Sequence, residues 1–163
     1  AGRLELLEPR AERELLQKRL DDNGLEQQTA FSYGNCQFTA VSDQLFGSPQ
    51  YHTHVRAAMA TQLRASPERY RPYVPDQDFD EYVEAVAANR EWGDQVTLQA
   101  IADSYGVQVN LLTPFSETAV PIVPAKPEPD QVLWLSWSNQ HYCSLRPKEA
   151  APATEGDGLC AIM

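Results

Sequence analysis

The chain has 163 residues, with 13 Lys and Arg against 23 Asp and Glu and a net charge of −10. Its length suits one domain with a real core, and its acidity excludes an ordinary nucleic-acid binder, because phosphates would be repelled. No run approaches the ~18 consecutive apolar residues of a membrane span, and three cysteines without a Cys-x-x-Cys pair argue against structural zinc and for a reducing compartment, the cytoplasm.

An amphipathic helix is expected over residues 10–23, with Pro9 in its first turn, Leu15, Leu16 and Leu20 at helical spacing and Gly24 as its stop. An extended stretch over 27–32 leads into a Gly-Asn-Cys turn. Asn35 reads as the cap of a helix over 36–46 that ends at Gly47, with Phe38, Val41, Leu45 and Phe46 facing the core. A helix over 52–65 carries Val55, Met59 and Leu63 four apart. Pro72 and Pro75 break the next segment. A helix over 78–89 places Phe79, Tyr82, Val83 and Val86 on one side, and Asp94 caps another over 96–105 that stops at Gly106. The period then changes. Residues 107–112 alternate as a strand, 119–123 form a second, 131–137 a third buried on both faces, and 141–146 a fourth.

The expected class is therefore α+β, helices packed on a small, mostly antiparallel sheet. Residues 1–24 read as an N-terminal helical segment, 25–146 as the domain carrying the chemistry, and 147–163 as a disordered acidic tail. The N-terminal residues show no signal-peptide pattern. The last four, Cys160-Ala161-Ile162-Met163, fit the C-a-a-X signal, whose terminal Met favours farnesyl. One lipid without a polybasic run anchors weakly, so reversible peripheral membrane association through Cys160 is expected beside a cytoplasmic pool. A monomer is expected.

Thiol chemistry needs a thiolate, a base and donors for an oxyanion. Cys36 stands at a helix start, where unpaired N–H groups and the helix dipole stabilise a thiolate. Gly34 permits a tight turn, and the backbone N–H groups of residues 33–36 are oxyanion donors. His141, on a strand far downstream, is the available base. Taken alone, these residues leave a second reading open, a small buried Cys and an ordinary polar strand His. His52 and His54 lack a third ligand, so packing or capping explains them and no metal is assigned.

Several ordered motifs narrow the choice. Gly34-Asn35-Cys36-Gln37-Phe38, Ser42-Asp43-Gln44-Leu45, Tyr51-His52-x-His54-Val55-Arg56, Trp92-Gly93-Asp94, Thr97-Leu98-Gln99-Ala100 and Leu133-Trp134-Leu135-Ser136 before His141-Tyr142 together resemble the ovarian-tumour (OTU) family of cysteine deubiquitinases, in its plant-like form. The resemblance covers roughly residues 25–145. It implies a papain-like fold and a thiol isopeptidase acting on ubiquitin, polyubiquitin chains or a ubiquitin-like modifier, with no cofactor. Cys36 matches the nucleophile, His141 the general base, and Gly34 and Asn35 the oxyanion turn. The loop before the His shapes the substrate groove, making Trp137 and Ser138 contact candidates. Two positions depart from the family. Tyr33 stands where Asp is usual, and Cys143 where Asn or Asp is usual. Candidates for the third, orienting residue are Asn139, expected to share a strand face with His141, Tyr33 and Cys143. The alternative is a ubiquitin-binding pseudoenzyme with weak or no turnover.

Overall fold

A computed structural model describes residues 8–29 and 32–149. The first residues, the end of the acidic tail and the Cys160 motif lie outside the described residues.

Among the described residues six helices and five strands follow one another in the order α1 (Pro9–Asp22), β1 (Leu25–Gln28), α2 (Cys36–Phe46), α3 (His52–Ala65), α4 (Pro67–Tyr70), α5 (Phe79–Ala87), α6 (Gln95–Tyr105), β2 (Gln108–Leu112), β3 (Val120–Ile122), β4 (Val132–Ser138) and β5 (His141–Pro147). Short 3-10 turns occupy Pro49–Tyr51 and Arg71–Tyr73. Pro72, read as a break, sits inside a helical turn instead. Pro49, Pro67 and Pro72 each sit in a first turn, where a missing N–H costs nothing and the fixed φ already suits a helix. Asp78 caps α5 by accepting from the Glu81 N–H, and Asp94 and Thr97 form a capping box on α6.

The sheet runs β1-β5-β4-β2-β3. Three pairings are antiparallel, and the central β2–β4 pair is parallel. The extended stretch begins two residues earlier than expected, because β1 leaves the tight turn at Gly24 already paired with the end of β5, Leu25 opposite Pro147.

Both faces of the sheet are covered. Val109, Leu133 and Leu135 pack into the main core with α2, α3, α5 and α6. On the other side Leu16 and Leu20 of α1 meet Leu112, Leu145 and the partly buried Trp134. This explains the uninterrupted apolar run of β4, whose odd and even positions meet different helices. The outer face of α1 carries the exposed i,i+4 pairs Arg10–Glu14 and Lys18–Asp22, worth only a few tenths of a kcal/mol each. Its attachment therefore rests on the leucines. Leu20→Ala is expected to cost about 2–4 kcal/mol, read as a lower urea midpoint at unchanged slope. A loss under ~1 kcal/mol would mean that α1 is only loosely docked.

Candidate active site

Cys36 is the first residue of α2 and is buried. The turn before it depends on Gly34, whose φ is +73°. A Cβ added there would lie 1.8 Å from the carbonyl oxygen of Arg90, so no side chain fits. The loop bearing Arg90 lies directly over the turn, and Arg90 itself holds a left-handed φ of +70°.

Asn35 does not cap α2. Its side chain makes no capping hydrogen bond because it is engaged elsewhere. Oδ1 accepts from Arg56 at 2.7 Å and from the Arg90 N–H at 3.1 Å, while Nδ2 donates to Asn89 Oδ1 at 3.1 Å. The Asn35 N–H reaches back to the Ser32 carbonyl at 3.4 Å, a long bond that a better acceptor could displace.

Arg56 of α3 stands out in the sequence only as part of a motif, and its role is what sequence reasoning missed. Its side chain is buried without a carboxylate in hydrogen-bond contact. It donates to the carbonyls of Val86 at 2.7 Å, Glu91 at 2.9 Å and Gly34 at 3.4 Å, besides Asn35. The guanidinium lies 3.9 Å from the centre of the Phe38 ring. Burial lowers its pKa and the Glu91 charge opposes that shift, yet a guanidinium keeps its proton in proteins. The available signal was positional: Arg56 falls on the buried stripe of Val55, Met59, Ala60 and Leu63, where a charge needs a reason.

His141 opens β5 and is partly buried. Ser138 is its partner across the β4–β5 hairpin, and Trp137 is opposite Tyr142. Asn139 and Gln140 form the connection, with φ of +51° and +60°, the signature of a two-residue hairpin turn. The expectation that Asn139 shares a strand face with His141 is therefore corrected, since the turn removes it from the period-two alternation. Tyr33 is 74% exposed, and among the described residues its hydroxyl makes no hydrogen bond. Cys143 lies two residues beyond His141 on the same strand, so the two side chains leave from one face.

Helix α2 is bound along β5. Gln44 donates to Ser144 Oγ at 2.8 Å and to the Leu145 carbonyl at 2.6 Å, and Ser144 donates to Asp43 at 2.6 Å. This docking brings Cys36, Tyr142 and Cys143 to one cleft of about 210 Å³. Burial raises the Cys143 pKa above its ordinary value. A hydrogen bond from Ser136 opposes the rise, and the nearby Cys36 charge adds to it. Cys143 thus stays a neutral thiol at neutral pH and cannot act as a carboxylate.

A second, larger cleft of about 620 Å³ has walls formed by Tyr73, Trp92, Gly93, Asp94, Trp137 and Tyr142 among others. Trp137 lies between Phe115 and Tyr142, at ring-centre distances of 6.1 and 6.4 Å. Ser138 is not part of these walls. Gln37 of α2 ties the cleft to the helix by donating to the Asp94 carbonyl at 2.9 Å and accepting from Thr97 at 2.7 Å. Tyr82 donates to the Asp94 carboxylate, with oxygens at 2.7 and 2.9 Å. Burial, then Asp94, push the Tyr82 hydroxyl pKa far up, so it remains a donor.

Gly34→Ala is expected to force the Arg90 loop and the Cys36 turn apart. Alkylation of Cys36 by iodoacetamide should slow at least tenfold, with a lower melting temperature, since strain and overpacking cost roughly 1–3 kcal/mol each. Wild-type alkylation and stability would show that the loop yields freely.

A family model for OTU-like cysteine proteases matches residues 32–146. OVARIAN TUMOR DOMAIN-containing deubiquitinating enzyme 12 of Arabidopsis thaliana is 43% identical over 139 residues, which is 84% of this chain and 63% of that protein. Enzyme 9 of the same series and plant is 39% identical over 148 residues, 90% of this chain and 43% of that protein. The chain thus spans about half the length of these relatives. Among solved structures, the OTU domain of OTUD1 superposes with a TM-score of 0.71 at 25% identity, covering 85% of this chain and 96% of that one. An OTU domain solved in complex with ubiquitin shares the fold, with a TM-score of 0.64 at 16% identity over 74% of this chain and 69% of that one. The matched region runs from the turn before Cys36 to the end of β5, so both arms of the cleft fall inside one recognised domain, and the chain belongs to the OTU-like cysteine protease family.

Proposed function

We propose that this domain is a thiol isopeptidase that removes ubiquitin, or a ubiquitin-like modifier, from proteins. The observation that carries the proposal is the position of Cys36. It begins a buried helix whose N-cap side chain is drawn away, and it lines a cleft shared with the strand that starts at His141. The relatives named as deubiquitinating enzymes supply the substrate class.

In the proposed reaction His141 takes the Cys36 proton, and the thiolate attacks the carbonyl of the modifier's C-terminal Gly. Charge on the oxygen is met by N–H groups at the turn and the first turn of α2. The lysine amine leaves with a proton from His141, giving a thioester at Cys36. Water, activated by His141, then releases the carboxylate and restores the thiol. The aromatic cleft with Trp137, Trp92 and Tyr73 suits an extended, flexible peptide tail. Asp76 and Asp94 on its walls favour a basic one.

The neutral Cys143 thiol is a weak hydrogen-bond partner and gives the imidazolium no counter-charge. This favours slow turnover and keeps a second reading in play, a domain that binds the modifier with little or no cleavage. A ubiquitin probe with a C-terminal cysteine-reactive group is expected to form one adduct, lost in Cys36→Ala and strongly slowed in His141→Ala. No adduct from folded, reduced protein, with ubiquitin still bound, would establish the second reading. Cys143→Asn restores an amide two residues after the His and is expected to raise kcat on a ubiquitin–fluorophore conjugate about tenfold or more at similar KM, since an orienting group is worth orders of magnitude. An unchanged kcat would show that another group already orients His141.

A further inference from the structure

The sequence assigns Asn35 to the N-cap of α2, and Asn is among the best residues for that task. The structure leaves the assignment unfilled for a specific reason. A side-chain carbonyl oxygen offers two lone pairs. Both on Asn35 Oδ1 are taken, one by the Arg56 guanidinium at 2.7 Å and one by the Arg90 N–H at 3.1 Å. No acceptor remains to cover the N–H groups of the first turn of α2. Those groups surround Cys36.

We propose that Arg56 is a positioning residue for the nucleophile: it withholds the Asn35 side chain from the N-terminus of α2, so that the first-turn N–H groups stay free for the Cys36 thiolate and for the oxyanion. The proposal rests on Cys36 being the nucleophile and extends that reading to a residue outside the cleft. Arg56 lines neither the Cys36 cleft nor the aromatic one.

The geometry gives this one side chain unusual reach. From α3 it binds the carbonyl that ends the buried part of α5, the Glu91 carbonyl, and the Gly34 carbonyl. Glu91 directly precedes Trp92, Gly93 and Asp94 of the aromatic cleft. The Gly34 carbonyl also faces Arg56, through a long 3.4 Å bond. A trans peptide points its C=O and N–H in opposite directions, so a carbonyl turned toward the guanidinium aims the Asn35 N–H away from it. Three backbone carbonyls and the Asn35 amide oxygen are shared between the two terminal nitrogens, while Nε is left without a partner among the described residues. A lysine has no second nitrogen with which to span them.

Removing the guanidinium should free one lone pair of Asn35 Oδ1, the Arg90 N–H and Asn89 still holding the side chain. That lone pair can turn to the first-turn N–H groups as an N-cap does. A capped N-terminus offers fewer free donors to a thiolate or an oxyanion.

The test uses Arg56→Gln, the double variant Arg56→Gln with Asn35→Ala, and Arg56→Lys, all confirmed folded by circular dichroism. Site-resolved iodoacetamide labelling at Cys36 reads the thiolate without any ubiquitin substrate, so it answers even if the isopeptidase reading fails. Arg56→Gln is expected to slow labelling about tenfold at neutral pH while leaving the rate at high pH unchanged, and to lower kcat by about tenfold to 100-fold at nearly constant KM. Removing the Asn35 side chain in the double variant should restore labelling by at least half of the loss, because Ala cannot cap. Wild-type labelling in Arg56→Gln would overturn the proposal. So would a folded double variant as slow as the single one, since Arg56 would then only brace the loops. If Arg56→Gln does not fold, Arg56→Lys decides. It keeps the buried charge but cannot serve both the α5 carbonyl and Asn35, so labelling should fall between wild type and a tenfold loss. A wild-type rate there would overturn the proposal.

Discussion

Seven consecutive residues, Cys36 to Ser42, are buried at the start of α2, and the rest of the molecule answers to that constraint. A helix enclosed all round cannot leave polar side chains unpaired, because each unsatisfied group costs about 1–3 kcal/mol. Its polar residues therefore recruit the surrounding segments. Gln37 draws in the backbone at Asp94 and the side chain of Thr97. Ser42 holds the turn at Ser48 and Tyr51. Asp43 and Gln44 bind β5, and Gln44 also accepts from the Trp134 N–H of β4. The site is assembled as a consequence of satisfying a buried helix.

The same logic accounts for the charge distribution. The chain is strongly acidic overall, yet a cation, Arg56, is buried beside the turn that leads into Cys36, with carbonyl oxygens as its hydrogen-bond acceptors and the Glu91 charge acting only through space. A carboxylate in that place would put a negative charge beside a thiolate and oppose its formation. Carbonyl oxygens accept the hydrogen bonds and carry only partial charge. The two cysteines among the described residues divide accordingly. Cys36 meets the helix N-terminus, and Cys143 lies in the sheet, where burial keeps it protonated.

Much of this was legible in one dimension. The amphipathic period placed α1, α3, α5 and α6 within a residue or two, because apolar spacing records which face must be buried. The cap at Asp94 and the stops at Gly24, Gly47 and Gly106 are local chemistry, and the structure uses them; Asp78, read as the first residue of its helix, is the cap of α5. The short helix at Pro67–Tyr70 and the parallel β2–β4 pairing were not legible. One is a single turn without a period, and the other follows from where the chain re-enters the sheet. Asn35 was misread for a related reason. Its preference for a cap is intrinsic, but two donors from distant segments outcompete that preference. Asn139 was misread because a left-handed two-residue turn and a strand end look alike until the hairpin register is known.

The sequence by itself determined the longer helices and most of the strands, the two-sided burial of β4, the Gly requirement at 34, and the identity of the groups capable of thiol chemistry, since each depends on a residue's own conformational range or on its immediate neighbours. Only the tertiary structure decided which of those groups meet. That Cys36 shares a cleft with Cys143, that Asn35 is bound by Arg56 instead of capping its helix, and that Arg90 closes over Gly34 are contacts across some 20 to over 100 residues of chain. Hydrogen-bond partners for a buried group are chosen by proximity in space, and local sequence carries no record of it.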